Sequence, residues 1–517
     1  MRRVKLDKFR SILYTKQFLT LVPALFIVLV CNNVIWDESP TNGTQPVFHR
    51  TVFGKPVHNA TVFRPQNVTH DDPPAIRPCF QQVNYHTAAT NTTAAVQHTL
   101  FVSSAYLDER KFNPVAKLYS INAEQAPARV FCHFWTRHDG LLPSKVNVIV
   151  QAFHRNLLLP IKRIFYNNTR YVASRIECKI PRTLSVAQIE GVSISCELSG
   201  SQTGIVSILR PAKPAAYEHK FGVCVIAQYG EMNRDRMSSM IEWFEFNRLL
   251  GATEFNIYNA SLRLDRTMRQ VFNYYEKANL LNVVQHPAPF RSESRNECAN
   301  DARDNSRDKN GDDVYEDAKN ASYTGVSCDD AHKLLVYSSL NDCLYRNIYR
   351  YENLITIDVD EIIIPVTFHN YSQLIDYYID SNNSHQLEHS LKFQSRSYYI
   401  KDYAVDANQP ENLPSMRHRV YSYDKSRPKM LHNPRLCTLM FQHACIHTRH
   451  VKVPMDDVAS VHHYRATCAS GDAAKPRVKQ RCRQQAESTS VDDNVLMFKH
   501  RLLTRVQRAH SDIQQLL

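Results

Sequence analysis

At 517 residues, 43% of them apolar, the chain is long enough for two or three domains with real cores and too apolar for a disordered polymer. Its formal net charge of +13 would suit a nucleic-acid partner in the cytosol or nucleus, so the compartment decides how the charge is read. The N-terminus points to the secretory pathway and so argues against nucleic acid.

Residues 1–17 form a basic cytosolic tail, with Arg2, Arg3, Lys5, Lys8, Arg10 and Lys16 against the single acid Asp7. The apolar run "FLTLVPALFIVLVC" follows, and "NNVIW" extends it, so residues 18–36 read as a transmembrane signal anchor. A cleaved signal peptide is the competing reading, but no small-x-small cleavage site follows the run. With positive charge on the cytosolic side, everything downstream is lumenal, which implies a single-pass type II protein of the Golgi or ER membrane. Nine Asn-x-Ser/Thr sequons agree, at Asn42, Asn59, Asn67, Asn91, Asn167, Asn259, Asn320, Asn370 and Asn382. So do the cysteines: of thirteen, Cys31 lies in the apolar run and the other twelve are an even number suited to disulfides.

Residues 37–78, rich in Pro, Asn, Thr and His with no helical period, read as an extended stem. Across 79–215, runs such as "ARVFCHFW", "KVNVIVQAF" and "GVSISCEL" alternate with polar turns, which predicts a β-rich accessory domain with bridged cysteines at Cys132, Cys178 and Cys196. From Phe221 the rhythm changes. "FGVCVIAQ" is a buried strand, Met237, Met240, Ile241 and Phe244 share a helical face, and "GATEFNIY" returns to strand. The alternation repeats through a helix marked by Met268, Val271, Phe272 and Tyr275, the strand "LLNVVQ", and a helix marked by Tyr337, Leu340, Leu344 and Ile348 that feeds "LITID". The fold class is therefore α/β, with a Rossmann-like sheet over 219–467 whose ligands bind beyond the carboxyl ends of its strands. An acid-rich insertion over 290–330 lies between Cys298 and Cys328; its acids miss EF-hand spacing, so it reads as a solvated run. Residues 468–517 form a polar extension ending in an amphipathic helix expected to pack back on the α/β domain.

In "ENLITIDVDEIIIP" an apolar strand runs into Asp358, Asp360 and Glu361, and acids enter such a run only when a base or a metal ion offsets their desolvation. In extended backbone Asp358 and Asp360 share a face, a hard oxygen pair suited to Mn²⁺ or Mg²⁺ beside a diphosphate, while Glu361 turns to the opposite side, where it is expected to fix local backbone or a neighbouring base. Cys437, His443, Cys445, His447 and His450 offer zinc-ligand chemistry, but their spacing fits no zinc finger and an oxidising lumen favours disulfides for the two cysteines.

Four stretches, "SSAYLDER" (Ser103 to Arg110), "EWFEFNRLLGATEFNIYN" (Glu242 to Asn259), "LNDCLYRNIYRYENLITIDVDEIIIP" (Leu340 to Pro365) and "VHHYR" (Val461 to Arg465), resemble glycosyltransferase family 92. The resemblance implies a GT-A nucleotide-sugar-binding domain and inverting, metal-dependent transfer of a hexose, in characterised members galactose from UDP-galactose. The implied acceptor is a glycan or glycoprotein, with a fucose on an N-glycan core as the candidate target. On this resemblance Asp358, Asp360 and His463 hold the metal, with a structural role as the other reading of His463, while His462 is not separable from it. Asn341 and Asp342 match the family's Asn-Asp-Cys near the nucleotide, and Arg427, Lys429 and Arg465 are cations in reach of phosphates, an exposed base being the other reading of each. Inversion needs one general base on the acceptor side, and Asp402, Asp406 and Glu411 are candidates by position. The rival classes are a catalytically inactive lumenal glycan-binding protein and a Ca²⁺-dependent adhesion module.

Overall fold

In a computed structural model the described residues run from 81 to 287 and from 328 to 516, apart from 87–96, 111–113, 124–128, 137–143, 157–163, 167–168, 196–204, 215, 218, 382–385, 400–412, 414, 416–420, 447–449, 455–456 and 466–493. The expected tail, anchor and stem, nearly all of the acidic insertion, His447, and the candidate bases Asp402, Asp406 and Glu411 lie outside them. Among the described residues no helix is long and apolar enough to cross a membrane.

The alternating runs of the first part make nine strands: β1 (Gln81–His86), β2 (Gln97–Asp108), β3 (Val115–Ala123), β4 (Arg129–Thr136), β5 (Ser144–Asn156), β6 (Ile164–Tyr166), β7 (Thr169–Lys179), β8 (Ile189–Ser195) and β9 (Val206–Leu209). Eight of them pair in the order β1-β2-β3-β7-β5-β4-β8-β9 with β6 beside β7, and β9 pairs again with β2, so the sheet curls until its path closes. Closure removes the free edges that a strand would otherwise present. Leu118, Phe134, Ile176 and Ile194 fill the interior, where Cys132 of β4 is bonded to Cys178 of β7.

The second part alternates β10 (His219–Met232), α1 (Met237–Leu250), β11 (Glu254–Leu264), α2 (Arg266–Lys277), β12 (Leu281–Gln285), α3 (Cys328–Arg346) and β13 (Tyr351–Ile357). Gly251, at φ 117°, ends α1 in a left-handed conformation that a side chain would disfavour, and Asp265 caps α2 by accepting from the Met268 N–H. The sheet order β12-β11-β10-β13 is parallel throughout, so helical crossovers leave β10 to the left and return to its right. Between β10 and β13 the direction of winding reverses, and sheets of this kind bind ligands beyond the carboxyl ends of their strands at such a point. Five further strands complete the sheet: β14 (Glu361–Pro365), β15 (His389–Tyr399), β16 (Tyr421–His432), β19 (His450–Lys452) and β20 (Ala459–Arg465). Between β16 and β19 stands a separate hairpin of β17 (Leu439–Phe441) and β18 (Ala444–Ile446). Helix α4 (Tyr371–Asp380) follows β14, and α5 (Lys499–Gln514) lies on α1, burying Leu502, Val506 and Ile513 while Arg505 donates to Glu245 at 3.0 Å. The architecture is mixed α/β with curled sheets.

Two more disulfides bear on the site. Cys224–Cys343 ties α3 to β10, and Cys437–Cys445 closes the β17–β18 hairpin, so these cysteines are bonded to one another and not to zinc. Within Ile76–Leu517, the closed β-sheet rests on α3 through polar contacts. Tyr106 stacks on Tyr345, Lys117 reaches the Tyr345 hydroxyl at 2.7 Å, and Asp108 pairs with Arg110 and Lys117 at 2.8 and 2.7 Å. Arg110 also donates to the backbone carbonyls of Pro434, Arg435 and Cys437, which places the hairpin against "YLDER".

Candidate active site

Strand β13 is apolar because both of its faces are covered, and it ends at Ile357. The next three residues do not continue it. Asp358–Val359–Asp360 form a turn closed by the Glu361 N–H donating to the Asp358 carbonyl at 3.1 Å, while the Asp358 N–H donates to Glu361 Oε2 at 3.0 Å. The extended geometry expected for Asp358 and Asp360 is thus replaced by a tight turn. Its two aspartates separate: Asp358 points to Lys429 and Gln442, and Asp360, 47% exposed, points to His463. Glu361, expected to face away, joins them, because the turn re-aims its side chain inward.

The site brings together residues far apart in the chain. Lys429 Nζ lies 2.7 Å from both Asp358 Oδ2 and Glu361 Oε2 and is 1% exposed. Burial works against its ammonium, but the two carboxylates more than offset that and hold its pKa above the ordinary lysine range. Burial raises the Glu361 carboxyl, with Lys429 opposing and the Asp358 charge reinforcing the rise. His463 Nε2 lies 3.0 Å from Asp360 Oδ2, and its Nδ1 lies 3.3 Å from Glu361 Oε1. Gln442, at the tip of the β17–β18 hairpin, donates to Asp358 Oδ2 at 3.2 Å. The base that the acidic run required is therefore Lys429, and His463 stands beside the same acids.

Register explains how His463 arrives. In the antiparallel pairing of β14 with β20, Glu361 stands directly opposite His463 and Ile362 opposite His462. Successive side chains on a strand alternate faces, so only one histidine of "VHHYR" meets the acids. His462 takes the other face, stacks on Tyr398 at 4.4 Å and contacts the hydroxyls of Tyr398 and Tyr464 at 3.1 and 3.2 Å. Trp243 of α1 braces the arrangement by donating its indole N–H to the Glu361 carbonyl at 2.9 Å, and the Tyr464 N–H donates to the Asp360 carbonyl at 2.8 Å.

Other expected ligand residues are used differently. Asn341 is fully buried and spends its side chain on the hairpin: its amide donates to the carbonyls of Tyr337 and Met440, and its oxygen accepts from the Met440 N–H, all at 2.9 Å. Asp342, 3% exposed, accepts from Tyr106 at 2.6 Å, Tyr258 at 2.7 Å and Arg346 at 2.9 Å. Both residues shape the wall behind the site rather than its surface, since their polar atoms are engaged within the protein. Replacing Asp342 with alanine strands two buried tyrosine hydroxyls and is expected to cost about 2–3 kcal/mol of stability. The check is a denaturation midpoint, and an unchanged midpoint would refute the bracing role. Lys429 is likewise no free phosphate ligand, since it is enclosed between two carboxylates. Arg427 is exposed beside it, and Arg465 closes β20. Glu361 fixes the local backbone and a neighbouring base, Lys429, as expected, but on the side of the aspartates rather than the opposite one, whereas nothing local marks Gln442.

Among the described residues one group of acids and histidines is close enough to share a cation: Asp360, Glu361 and His463, with ligand atoms all within 4.8 Å of one another. The donor set fits a hard or borderline divalent ion. Two neighbouring ligands of an octahedral ion, each at about 2.1 Å, stand about 3.0 Å apart, and Asp360 Oδ2 and His463 Nε2 have that spacing. Asp358 Oδ1 is enclosed and has no hydrogen-bond partner among the described residues, a further oxygen of the same chemistry.

The model of the family described as Glycosyltransferase family 92 matches residues 219–501, which include every one of these side chains. The chain belongs to glycosyltransferase family 92. Glycosyl transfer is accordingly its class of activity. No curated protein matches it significantly. Among solved structures it is similar to "Crystal structure of S. aureus TarS 1-349", at 12% identity and a TM-score of 0.22 over 56% of this chain and 71% of that chain. A score that low bears on neither the site nor its chemistry.

Proposed function

We propose that this family 92 member transfers a hexose, galactose from UDP-galactose, to a hydroxyl of a glycan acceptor with inversion, in a GT-A domain. The candidate target is a fucose on an N-glycan core. The observation that carries the reading is the acidic turn Asp358–Glu361 at the carboxyl end of β13, beside the switch point between β10 and β13 and facing His463.

Asp360 and His463 would hold a Mn²⁺ or Mg²⁺ ion, whereas Asp358, expected as a third ligand, points to Lys429 and Gln442 and lies outside that group. Such an ion supplies charge neutralisation for a departing nucleoside diphosphate. The protein's own part is preorganisation: Lys429 cancels the mutual repulsion of Asp358 and Glu361, and Gln442 fixes the orientation of Asp358. Arg427 and Arg465 are proposed to meet phosphate oxygens, and one of Asp402, Asp406 and Glu411 to take the proton of the attacking hydroxyl. The proposed location is the Golgi or ER membrane, with the anchor at 18–36 and the α/β part lumenal.

The test is UDP release by the full chain from a panel of UDP-sugars with fucosylated N-glycan acceptors, with Mn²⁺ or with EDTA. Turnover with one donor that EDTA abolishes supports the proposal. A folded chain that turns over no donor with any acceptor would instead favour a glycan-binding protein without catalysis.

A further inference from the structure

Glu361 belongs to the one carboxylate–histidine group that the described residues offer to a cation, yet both of its oxygens already have protein partners. Oε2 lies 2.7 Å from Lys429 Nζ and 3.0 Å from the Asp358 N–H, and Oε1 lies 3.3 Å from His463 Nδ1. Its side chain is 1% exposed, whereas Asp360, on the other side of the imidazole, is 47% exposed. The ring therefore has an inner nitrogen 3.3 Å from a buried carboxylate and an outer nitrogen hydrogen-bonded at 3.0 Å to the half-exposed Asp360, so a cation that takes the outer nitrogen leaves the inner one to carry the ring's proton. A neutral imidazole carries one proton, and a ligating nitrogen must carry none.

We infer that Glu361 is a positioning residue that holds the proton of His463 on Nδ1 and so keeps the Nε2 lone pair free for a divalent cation shared with Asp360. The inference rests on the proposed metal-dependent transferase and assigns Glu361 a role beside the ion instead of on it. A carboxylate behind a ligating histidine fixes the ring's tautomer and orientation, and losing such a partner weakens metal affinity about 10–100-fold. Lys429 and the Asp358 N–H make this arrangement one-directional. Two donors converge on the Oε2 position, so in Glu361→Gln the amide oxygen must occupy it, and the NH₂ group is then forced against His463 Nδ1. The proton moves to Nε2, which hydrogen-bonds Asp360 and offers the cation no lone pair.

The experiment uses the full-length chain labelled with ¹⁵N-histidine, the His463 signal being assigned by its loss in His463→Gln. Long-range ¹H–¹⁵N correlation in Mg²⁺ reads the tautomer, and Mn²⁺ titration followed by electron paramagnetic resonance reads affinity. Wild type is expected to show Nδ1–H. Glu361→Gln is expected to show Nε2–H and Mn²⁺ binding weakened about 10–100-fold. An Nε2–H tautomer in the wild type, or a folded Glu361→Gln protein that binds Mn²⁺ as wild type does, would overturn the inference and leave the transferase reading intact. Wild type that binds no Mn²⁺ at all would overturn the metal reading and the inference with it. Should Glu361→Gln fail to fold, the wild-type tautomer decides by itself.

Discussion

Replacing Lys429 with alanine is expected to destabilise the α/β part by about 3–5 kcal/mol, and to abolish activity through loss of the fold around the site. The reason is charge. Asp358 and Glu361 each lie 2.7 Å from the Lys429 ammonium, and the lysine and Glu361 side chains are both 1% exposed. Without the lysine, Glu361 keeps a buried carboxylate whose remaining donors are neutral or shared, next to a second acid held by a tight turn. A partner removed from a buried ion group costs far more than the group is worth when intact. Lys429→Met combined with Asp358→Asn and Glu361→Gln is accordingly expected to recover much of the stability without recovering activity. Denaturation midpoints of the two variants against wild type provide the check; equal midpoints for Lys429→Ala and wild type would show that the acids do not depend on this cation.

Asp360→Ala is expected to do the opposite, leaving stability near that of wild type while lowering metal-dependent kcat/KM by about 10³-fold or more. Asp360 is half-exposed, and its main structural bond, its carbonyl accepting from the Tyr464 N–H, is retained by alanine. What the variant loses is the carboxylate paired with His463. Charge neutralisation by a bound cation contributes several kcal/mol, and about 4 kcal/mol at about 1.4 kcal/mol per tenfold gives that factor. Steady-state UDP release at saturating Mn²⁺, alongside a melting curve, measures both quantities. Activity within about tenfold of wild type would remove Asp360 from the proposed mechanism.

The contrast between these two residues shows why one short acidic stretch was hard to decipher in full. Asp358 and Asp360 look equivalent in "DVDE", and extended backbone would have put them on one face. The turn that separates them depends on a side chain three residues further on, Glu361, whose Oε2 accepts from the Asp358 N–H. Likewise "HH" in "VHHYR" offers two equal histidines until the strand register assigns His463 to the acids and His462 to the Tyr398 ring. Asn341 and Asp342 were misplaced for a related reason. Polar residues on a helix before an acidic strand suit a nucleotide site, but their partners, Met440 of the disulfide-closed hairpin and Tyr106 of the closed β-sheet, come from distant parts of the chain.

What the sequence by itself determined was local in origin. Buried parallel strands demand continuous apolar runs and their crossover helices demand a 3.6-residue apolar period, so the alternation from Phe221 and the placing of acids at the end of β13 were legible. The disulfide between Cys437 and Cys445 was legible too, because their spacing with the nearby histidines fits no zinc finger. Only the tertiary structure decided which groups offset those acids. Lys429, Gln442 and His463 reach them across 71, 84 and 103 residues, and no periodicity spans such separations. Contacts of that kind are set by strand order and register, which are properties of the folded sheet as a whole.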